Sequence, residues 1–206
     1  AEDGIRDYKV TGVQTCALPI SMVSLGSKAP SFKLESVTGG VVELEKYTAK
    51  SKGTVILFIC NHCPYVKHLN TKLVELANKY IQKGIAIIAI SSNDVEKYPA
   101  DSPENMKLVV EDEKYPFPYL YDETQEIAKA YEAACTPDIY LYDDSLHLVY
   151  RGQFDSSHPG NGEAVTGDDL KLAIDMLLEG KSPLENQIPS IGCNIKWKPG
   201  NEPQYF

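Results

Sequence analysis

The chain has 206 residues and a mass of 22.8 kDa, which fits one globular domain and excludes a large multidomain assembly. A hydrophobic content of 43% suffices for a core and excludes disorder of the whole chain. The net charge is −9 and only two of the 20 basic residues are arginines, which argues against a nucleic-acid partner. The longest apolar runs, Val55–Cys60 and Ile85–Ile90, are far shorter than the roughly 18 residues that cross a bilayer, so we expect no membrane span.

The first 21 residues are predicted not to belong to the fold. They carry no periodic apolar face, and no basic stretch precedes an apolar run as in a secretory signal. Residues 1–20 instead resemble the translated reading frame of a DNA-sequencing index adapter. We therefore expect residues 1–21 to be a disordered, non-native leader and residues 22–206 to form one domain. Whether the native chain starts at Met22 or upstream stays open.

The cysteines indicate a reducing compartment. Four of the five lie outside the leader, at positions 60, 63, 135 and 193. They are widely spaced, unlike the dense disulfide framework of a small secreted protein. With no signal peptide visible, the expected location is the cytoplasm.

Strands and helices are predicted to alternate along the chain. A short N-terminal β segment turns at Gly39-Gly40. The strands that follow are predicted at Thr54–Cys60, Ile85–Ser91, Ile139–Tyr142 and His147–Tyr150, and the helices at Pro64–Lys83, Ser102–Asp112, Thr124–Ala133 and from Thr166–Asp169 to Gly180. Buried strands joined by helices imply an α/β fold with a parallel centre, and the last hairpin adds an antiparallel edge. The tail, Ser182–Phe206, is expected to wrap the surface.

The chemistry is predicted where the first buried strand meets the first long helix. The segment reads Phe58-Ile-Cys-Asn-His-Cys-Pro64, which places Cys63 near the helix N-cap with Pro64 in the first turn. Unpaired backbone N–H groups and the positive end of the helix dipole favour an anion there. A cysteine at this position can have its pKa lowered from about 8.5 into the range of roughly 3.5–7.5. We therefore predict that Cys63 is a reactive thiolate.

The spacing of Cys60 and Cys63 suggests a redox pair but does not establish one. If residues 60–63 were extended, their Cα atoms would lie about 10 Å apart. A disulfide requires at most about 6.8 Å. The pair therefore forms a disulfide only if the chain turns at Asn61-His62, and both possibilities stay open.

Several motifs together resemble a known family. They are LGSKAPSFKL, NHCPYVKH, SSND, YPADSPENM, FPYLYDETQ, CTPD, YRGQFD and PSIGCNIKWK, which span residues 25–206. This combination resembles the peroxiredoxin-like proteins of the thioredoxin superfamily, in the branch of alkyl hydroperoxide reductase and thiol-specific antioxidant. The resemblance implies a thioredoxin-like fold, a central mixed sheet flanked by helices.

The resemblance also implies roles for particular residues. Cys63 aligns with the nucleophilic thiol, and Thr136-Pro137 resembles the cis-proline that lies against that thiol and presents backbone groups to an extended substrate. Asn61, His62, Pro64, Thr136 and Pro137 are accordingly predicted to bind substrate. Cys60 or Cys135 is predicted to form a disulfide with Cys63, and Cys193 in the tail is a third possibility.

Two departures from the peroxiredoxin pattern argue against a peroxide as the substrate. Cys60 and Ile56 stand where peroxiredoxins have a threonine and a proline before the reactive cysteine. The later strand, within Ala130–Tyr142, also lacks the arginine that binds peroxide. Peroxide binding would then depend on Arg151 reaching over from the next strand.

We predict a thiol-dependent oxidoreductase in which Cys63 attacks a disulfide or a peroxide. An external dithiol, of thioredoxin type or a low-molecular-weight thiol, would restore the reduced form, with no cofactor and no bound metal. One alternative is a metal-binding protein resembling the copper chaperone Sco, with Cys60, Cys63 and His68, and His62 as a further ligand. Its second copper cysteine would fall at Lys67. Another alternative is a non-catalytic redox switch or binding module.

Overall fold

The computed structural model of the chain describes residues 23–205, so the leader predicted over residues 1–21 lies outside the described residues. The strands are β1 (Lys33–Glu35), β2 (Val41–Glu43), β3 (Gly53–Phe58), β4 (Ile85–Ser91), β5 (Tyr119–Tyr121), β6 (Cys135–Thr136), β7 (Asp138–Asp143), β8 (Leu148–Arg151) and β9 (Cys193–Asn194). The helices are α1 (Leu44–Thr48), α2 (Pro64–Gln82), α3 (Pro103–Glu113), α4 (Glu126–Ala130) and α5 (Asp168–Leu178), with a 3-10 turn at Pro99–Asp101.

The main sheet has five strands in the order β5-β4-β3-β7-β8. Strands β3, β4 and β5 are parallel, whereas β7 runs antiparallel to both β3 and β8. This confirms the predicted mixed sheet. The hairpin is not wholly peripheral, however, because β7 lies beside the central strand β3 and only β8 is an edge.

Strand β3 is buried on both faces, as its unbroken apolar composition predicts. Val55 and Leu57 pack with α2, α3 and α5. Ile56 and Phe58, which point the other way because side chains alternate along a strand, pack with α1 and α4. The sheet therefore holds the end of β3 firmly, and the segment that follows it starts from a rigid edge.

Some predicted boundaries are wrong in ways that matter for the site. Strand β3 ends at Phe58 rather than Cys60, so Cys60 lies beyond the strand, directly before a bend at Asn61 and His62. The helix predicted at Thr124–Ala133 is shorter, because Gln125 has a left-handed backbone with φ of 64°. Strand β5 has only three residues, too few to show a period, and forms by pairing with β4.

The tail does more than wrap the surface. Strand β9 pairs antiparallel with β6, so that Thr136 lies opposite Cys193. Cys193, Ile195 and Trp197 are all buried. Within residues 23–205, no helix combines the length and the apolar character that spanning a membrane requires.

Candidate functional site

Cys63 lies at the start of α2. It is the N-cap residue, Pro64 follows in the first turn, and the side chain is fully buried. The backbone N–H of Val66 lies within reach of the sulfur and stabilises its thiolate form. The predicted position of Cys63 at a helix N-terminus is therefore confirmed.

The Thr136-Pro137 peptide bond is cis, as expected, and lies against Cys63. The Cys63 Sγ is 3.1 Å from the carbonyl oxygen of Thr136, to which it donates when it is a thiol. The backbone of Thr136 also pairs with Cys193 in β9. The tail thus occupies the edge that the resemblance assigned to an extended substrate.

Cys193 is the thiol that lies against Cys63. Their Sγ atoms are 3.0 Å apart, and both side chains are buried. From the sequence, Cys193 is only the third candidate for the disulfide partner of Cys63. A signal for it was present, since Cys193, Ile195 and Trp197 alternate with polar Asn194 and Lys196, a period typical of a half-buried strand.

Cys60 completes a group of three neighbouring thiols. Its Sγ lies 3.4 Å from the Thr136 hydroxyl and 3.9 Å from His62 Nδ1. A hydrogen bond to Cys63 is the largest cause that raises the pKa of Cys60, followed by burial. Cys60 and Cys63 are both thiols in this structure, so the disulfide between them that their spacing leaves open is not formed in this state.

The group separates charge between its members. Hydrogen bonds, first from Cys193 and then from Cys60, lower the pKa of Cys63 to about 2 despite its burial. The same hydrogen bond to Cys63, together with burial and the Cys63 charge, raises the pKa of Cys193 far above its usual value. Cys63 is therefore the thiolate of the group, and its two neighbours are the proton donors.

Asp101 fixes the bend between Cys60 and Cys63. Its carboxylate is fully buried and accepts hydrogen bonds from Asn61 N at 2.8 Å, His62 N at 3.2 Å, His62 Nδ1 at 2.6 Å and Asn93 Nδ2 at 2.7 Å. Asp101 is not among the site residues predicted from the sequence. An acidic residue 38 positions after Cys63 gives no local signal, because only the fold brings the 3-10 turn to this bend.

Among the predicted substrate-binding residues, Asn61 and Thr136 are held by hydrogen bonds within the structure, whereas His62 and Pro64 reach the solvent. The Asn61 side chain is engaged, donating to the Ala100 carbonyl and accepting from Tyr119. The His62 side chain is 28% exposed and stacks on Tyr98, and Pro64 is exposed. Thr136 is buried.

Pro137 opens onto a cleft beside the thiol group. The cleft has a volume of only about 30 Å³ and is also lined by Tyr65, His68, Phe154 and Ile191. Pro137 is the only one of the predicted substrate-binding residues that lines this cleft.

The structure places Cys135 differently from the prediction. Its thiol lies within hydrogen-bonding distance of the carbonyl oxygens of Pro137, at 3.5 Å, and Ser190, at 3.9 Å. Because neighbouring residues of a strand point to opposite faces, the thiol of Cys135 is directed away from the side on which Thr136 meets Cys193. A resolving role for Cys135 stays a prediction.

Arg151 is held in a buried ion pair. It donates to Asp138 Oδ2 at 3.0 Å and to the Glu132 carbonyl at 2.7 Å, and its guanidinium lies over the Tyr140 ring. Because both side chains of the Arg151–Asp138 pair are buried, the guanidinium is fixed in this position. The peroxide-binding role that required Arg151 to reach the reactive thiol therefore has no support from its position.

One set of side chains has the spacing of metal ligands. Among residues 23–205, Cys60, His62 and Asp101 place one ligand atom each within 4.8 Å of one another. This set shares only Cys60 and His62 with the predicted ligands and replaces Cys63 and His68 by Asp101. Both oxygens of Asp101 already accept hydrogen bonds from the bend, which accounts for its position without an ion.

Known proteins resemble the chain over most of its length. The model described as the AhpC/TSA family matches residues 25–151. An uncharacterized conserved protein from Geobacillus kaustophilus is 56% identical, with a TM-score of 0.88, over 92% of this chain and 100% of that one. A thiol-disulfide oxidoreductase ResA from Bacillus thuringiensis is 27% identical over 62% of this chain and 68% of its own.

The fold is that of thioredoxin. The thioredoxin domain of a thiol-disulfide oxidoreductase from Bacteroides vulgatus superposes with a TM-score of 0.59 at 20% identity, over 76% of this chain and 99% of that one. The likeness agrees with the mixed five-stranded sheet and its flanking helices. The expected fold class is confirmed.

Proposed function

From the premise that the chain belongs to the AhpC/TSA family, we propose that it is a thiol-disulfide oxidoreductase whose nucleophile is Cys63. The observation that carries this proposal is the position of the Cys63 sulfur at the N-terminus of α2, 3.0 Å from the Cys193 sulfur, where hydrogen bonds from Cys193 and Cys60 lower its pKa. A thiolate is the nucleophile of thiol–disulfide exchange. The ResA relatives, named thiol-disulfide oxidoreductases, support the same activity.

The first step is an attack of the Cys63 thiolate on one sulfur of a substrate disulfide. A bond forms between Cys63 Sγ and that sulfur, the substrate S–S bond breaks, and the other sulfur leaves as a thiolate that takes up a proton. A second thiol of the chain then displaces the bound half of the substrate. The chain is oxidised by two electrons, and the disulfide is reduced to two thiols.

A disulfide is favoured over a peroxide as the substrate. Cys60 stands at the position of the threonine that peroxiredoxins use, and Arg151 is paired with Asp138. A small disulfide is favoured over an extended protein segment, because β9 already pairs with the backbone of Thr136.

The reductant is proposed to be an external dithiol, of thioredoxin type or a low-molecular-weight thiol, acting in the cytoplasm. It would attack the oxidised chain, return both cysteines to thiols and leave as a disulfide. The Sco-like alternative receives less support, since Lys67 stands where the second copper cysteine would be and the named relatives are oxidoreductases.

The test is the reaction of the reduced chain, in a Cys16→Ser background that removes the thiol outside the described residues, with the chromogenic disulfide dithiobis(nitrobenzoate). Cys63→Ser should lose the fast release of thionitrobenzoate, because a hydroxyl does not ionise at neutral pH. Cys135→Ser, which changes another buried thiol, is the matched control and should react like the parent chain. Release from Cys63→Ser at the parent rate would show that the nucleophile has been misassigned.

A further inference from the structure

We propose that Cys193, in the C-terminal tail, is the resolving thiol, so that the oxidised chain carries a Cys63–Cys193 disulfide. This inference rests on the proposed function, because it names the thiol that completes the exchange begun by Cys63. Cys193 lies outside the residues 25–151 that match the AhpC/TSA family, so the family match assigns it nothing.

The distance between the two sulfurs is the first support. The Sγ atoms of Cys63 and Cys193 are 3.0 Å apart as thiols. A disulfide bond is about 2.05 Å long, so bond formation needs a movement of roughly 1 Å. No element has to unfold for this movement, because the two cysteines already meet across the cis peptide bond at Thr136.

The tail is held on both sides of Cys193. On the far side, Ile195 N donates to the Ala134 carbonyl at 3.0 Å and Lys196 N donates to Asn93 Oδ1 at 2.8 Å. On the near side, the Ser190 hydroxyl donates to the Gly152 carbonyl at 2.8 Å. The thiol of Cys193 is therefore positioned by fixed backbone and is not on a loose terminus.

Gly192 allows the tail to come this close. A Cβ at this position would lie 2.1 Å from the carbonyl oxygen and 2.6 Å from the carbonyl carbon of Thr136. Both atoms are backbone, which cannot turn aside as a flexible side chain can. Glycine is thus the residue that permits β9 to pack on β6 with its cysteine at the active thiol.

Charge makes the two thiols act in order. While Cys63 is a thiolate, its hydrogen bond and its charge raise the pKa of Cys193, which stays protonated. When Cys63 becomes bound to substrate, that charge and that hydrogen bond are lost, and the pKa of Cys193 falls. The nearby Lys196 ammonium lowers it further. Cys193 therefore becomes a nucleophile only after the first step.

The second step balances as follows. The Cys193 thiolate attacks Cys63 Sγ in the mixed disulfide, the bond between Cys63 and the bound half of the substrate breaks, and that half leaves as a thiolate. The proton released by Cys193 is taken up by the leaving thiolate. The external dithiol later reduces the Cys63–Cys193 bond, and is itself oxidised to a disulfide.

Two releases of thionitrobenzoate separate this inference from the proposed function. The probe is dithiobis(nitrobenzoate) added to the reduced full chain in a Cys16→Ser background, because Cys16 is a further thiol outside the described residues. The first release reports attack by Cys63, and the second reports resolution. Cys193→Ser should keep the first release and lose the second, leaving the adduct on Cys63, whereas Cys135→Ser should keep both.

Mass mapping of the oxidised parent chain gives the direct result. A peptide pair joined through Cys63 and Cys193 is expected. A bridge from Cys63 to Cys60 or to Cys135, or a second release from Cys193→Ser at the parent rate, would overturn the inference while leaving the role of Cys63 intact. Absence of the first release in every chain would instead overturn the proposed function.

Gly192→Ala tests the same step with every thiol retained. The added Cβ should push β9 away from Thr136 and slow the second release by roughly tenfold or more, with the first release still present. Circular dichroism of Cys193→Ser and of Gly192→Ala shows whether each variant is folded. If Cys193→Ser does not fold, Gly192→Ala and the mass map decide, and an unchanged second release from folded Gly192→Ala counts against the positioned tail.

Discussion

At the scale of single residues, the three neighbouring thiols divide one negative charge unequally. Cys63 has the helix N-terminus and the hydrogen bonds of two thiols, whereas Cys60 also lies in the field of the Asp101 carboxylate, which raises its pKa. Burial alone would raise the pKa of every member. The directed hydrogen bonds therefore decide which sulfur is ionised.

This division predicts the pH dependence of alkylation by iodoacetamide. Only the thiolate reacts with iodoacetamide. For an ordinary thiol with a pKa near 9.0, the alkylation rate rises about tenfold for each unit of increase in pH until the pH reaches that pKa. Because the pKa of Cys63 is lowered to about 2, its thiolate fraction is already complete at mildly acidic pH. The rate at Cys63, followed by peptide mass spectrometry, should therefore stay flat between about pH 5 and about pH 8.

Cys193→Ala provides the comparison for that profile. It removes the largest cause of the lowered pKa of Cys63, so the pKa should rise and the rate at low pH should fall. Cys135→Ser should keep the flat profile. A rate that climbs steadily with pH in the parent chain would show that Cys63 is an ordinary thiol.

At the scale of elements, the bend from Cys60 to Cys63 depends on one carboxylate from a distant turn. Asp101 binds two backbone N–H groups of the bend and the ring of His62. These contacts connect the end of β3, the start of α2 and the 3-10 turn. The bend has no regular hydrogen-bonded structure of its own, so its shape comes from this anchor.

Asp101→Asn should loosen the bend. The amide keeps the size of the side chain but places an NH2 group where donors of the bend now point, leaving at least one buried donor without an acceptor. We expect a loss of about 1–3 kcal/mol in the free energy of unfolding, measured by urea denaturation. Asp112→Asn, on an exposed part of α3, is the matched control and should change little. Equal stability of the two variants would show that Asp101 does not anchor the bend.

At the scale of the whole molecule, the tail links the two sides of the active site. It pairs with β6, binds Asn93 and Gln125, and buries Ile195 and Trp197 against the face of the sheet that also carries Phe58. The N-terminus of α2 supplies Cys63 and the tail supplies Cys193. Detachment of the tail would therefore separate the two sulfurs.

Trp197→Ala tests how far the tail depends on this anchor. Trp197 is 7% exposed, and truncation of a buried large aromatic residue costs about 3–5 kcal/mol. Limited proteolysis should then cut residues 182–205 faster than in the parent chain. Ile188→Ala, in the same tail but 58% exposed, is the control and should leave the cutting rate unchanged. Equal protection of the two variants would show that other contacts hold the tail.

Much of the fold and part of the site were predictable from the residues. The apolar run of β3 and the N-cap position of Cys63 rest on local patterns, and the structure confirms them. Strand β5 is not predicted from the sequence, because it forms by pairing with β4. The proximity of Cys193 to Cys63 is not predicted either, because it depends on the pairing of β9 with β6, which Gly192 permits. A short strand has no period of its own to reveal it.

Strand composition, Pro64 and the helical period of α2 are local properties of neighbouring residues, so they are enough to predict that a cysteine follows a buried strand and begins a helix. The groups that meet that sulfur are brought there by the fold. Asp101, Thr136 and Cys193 lie 38, 73 and 130 positions away along the chain. Their contacts depend on sheet order, on the path of the tail and on the space that Gly192 leaves, and none of these is written in a local pattern.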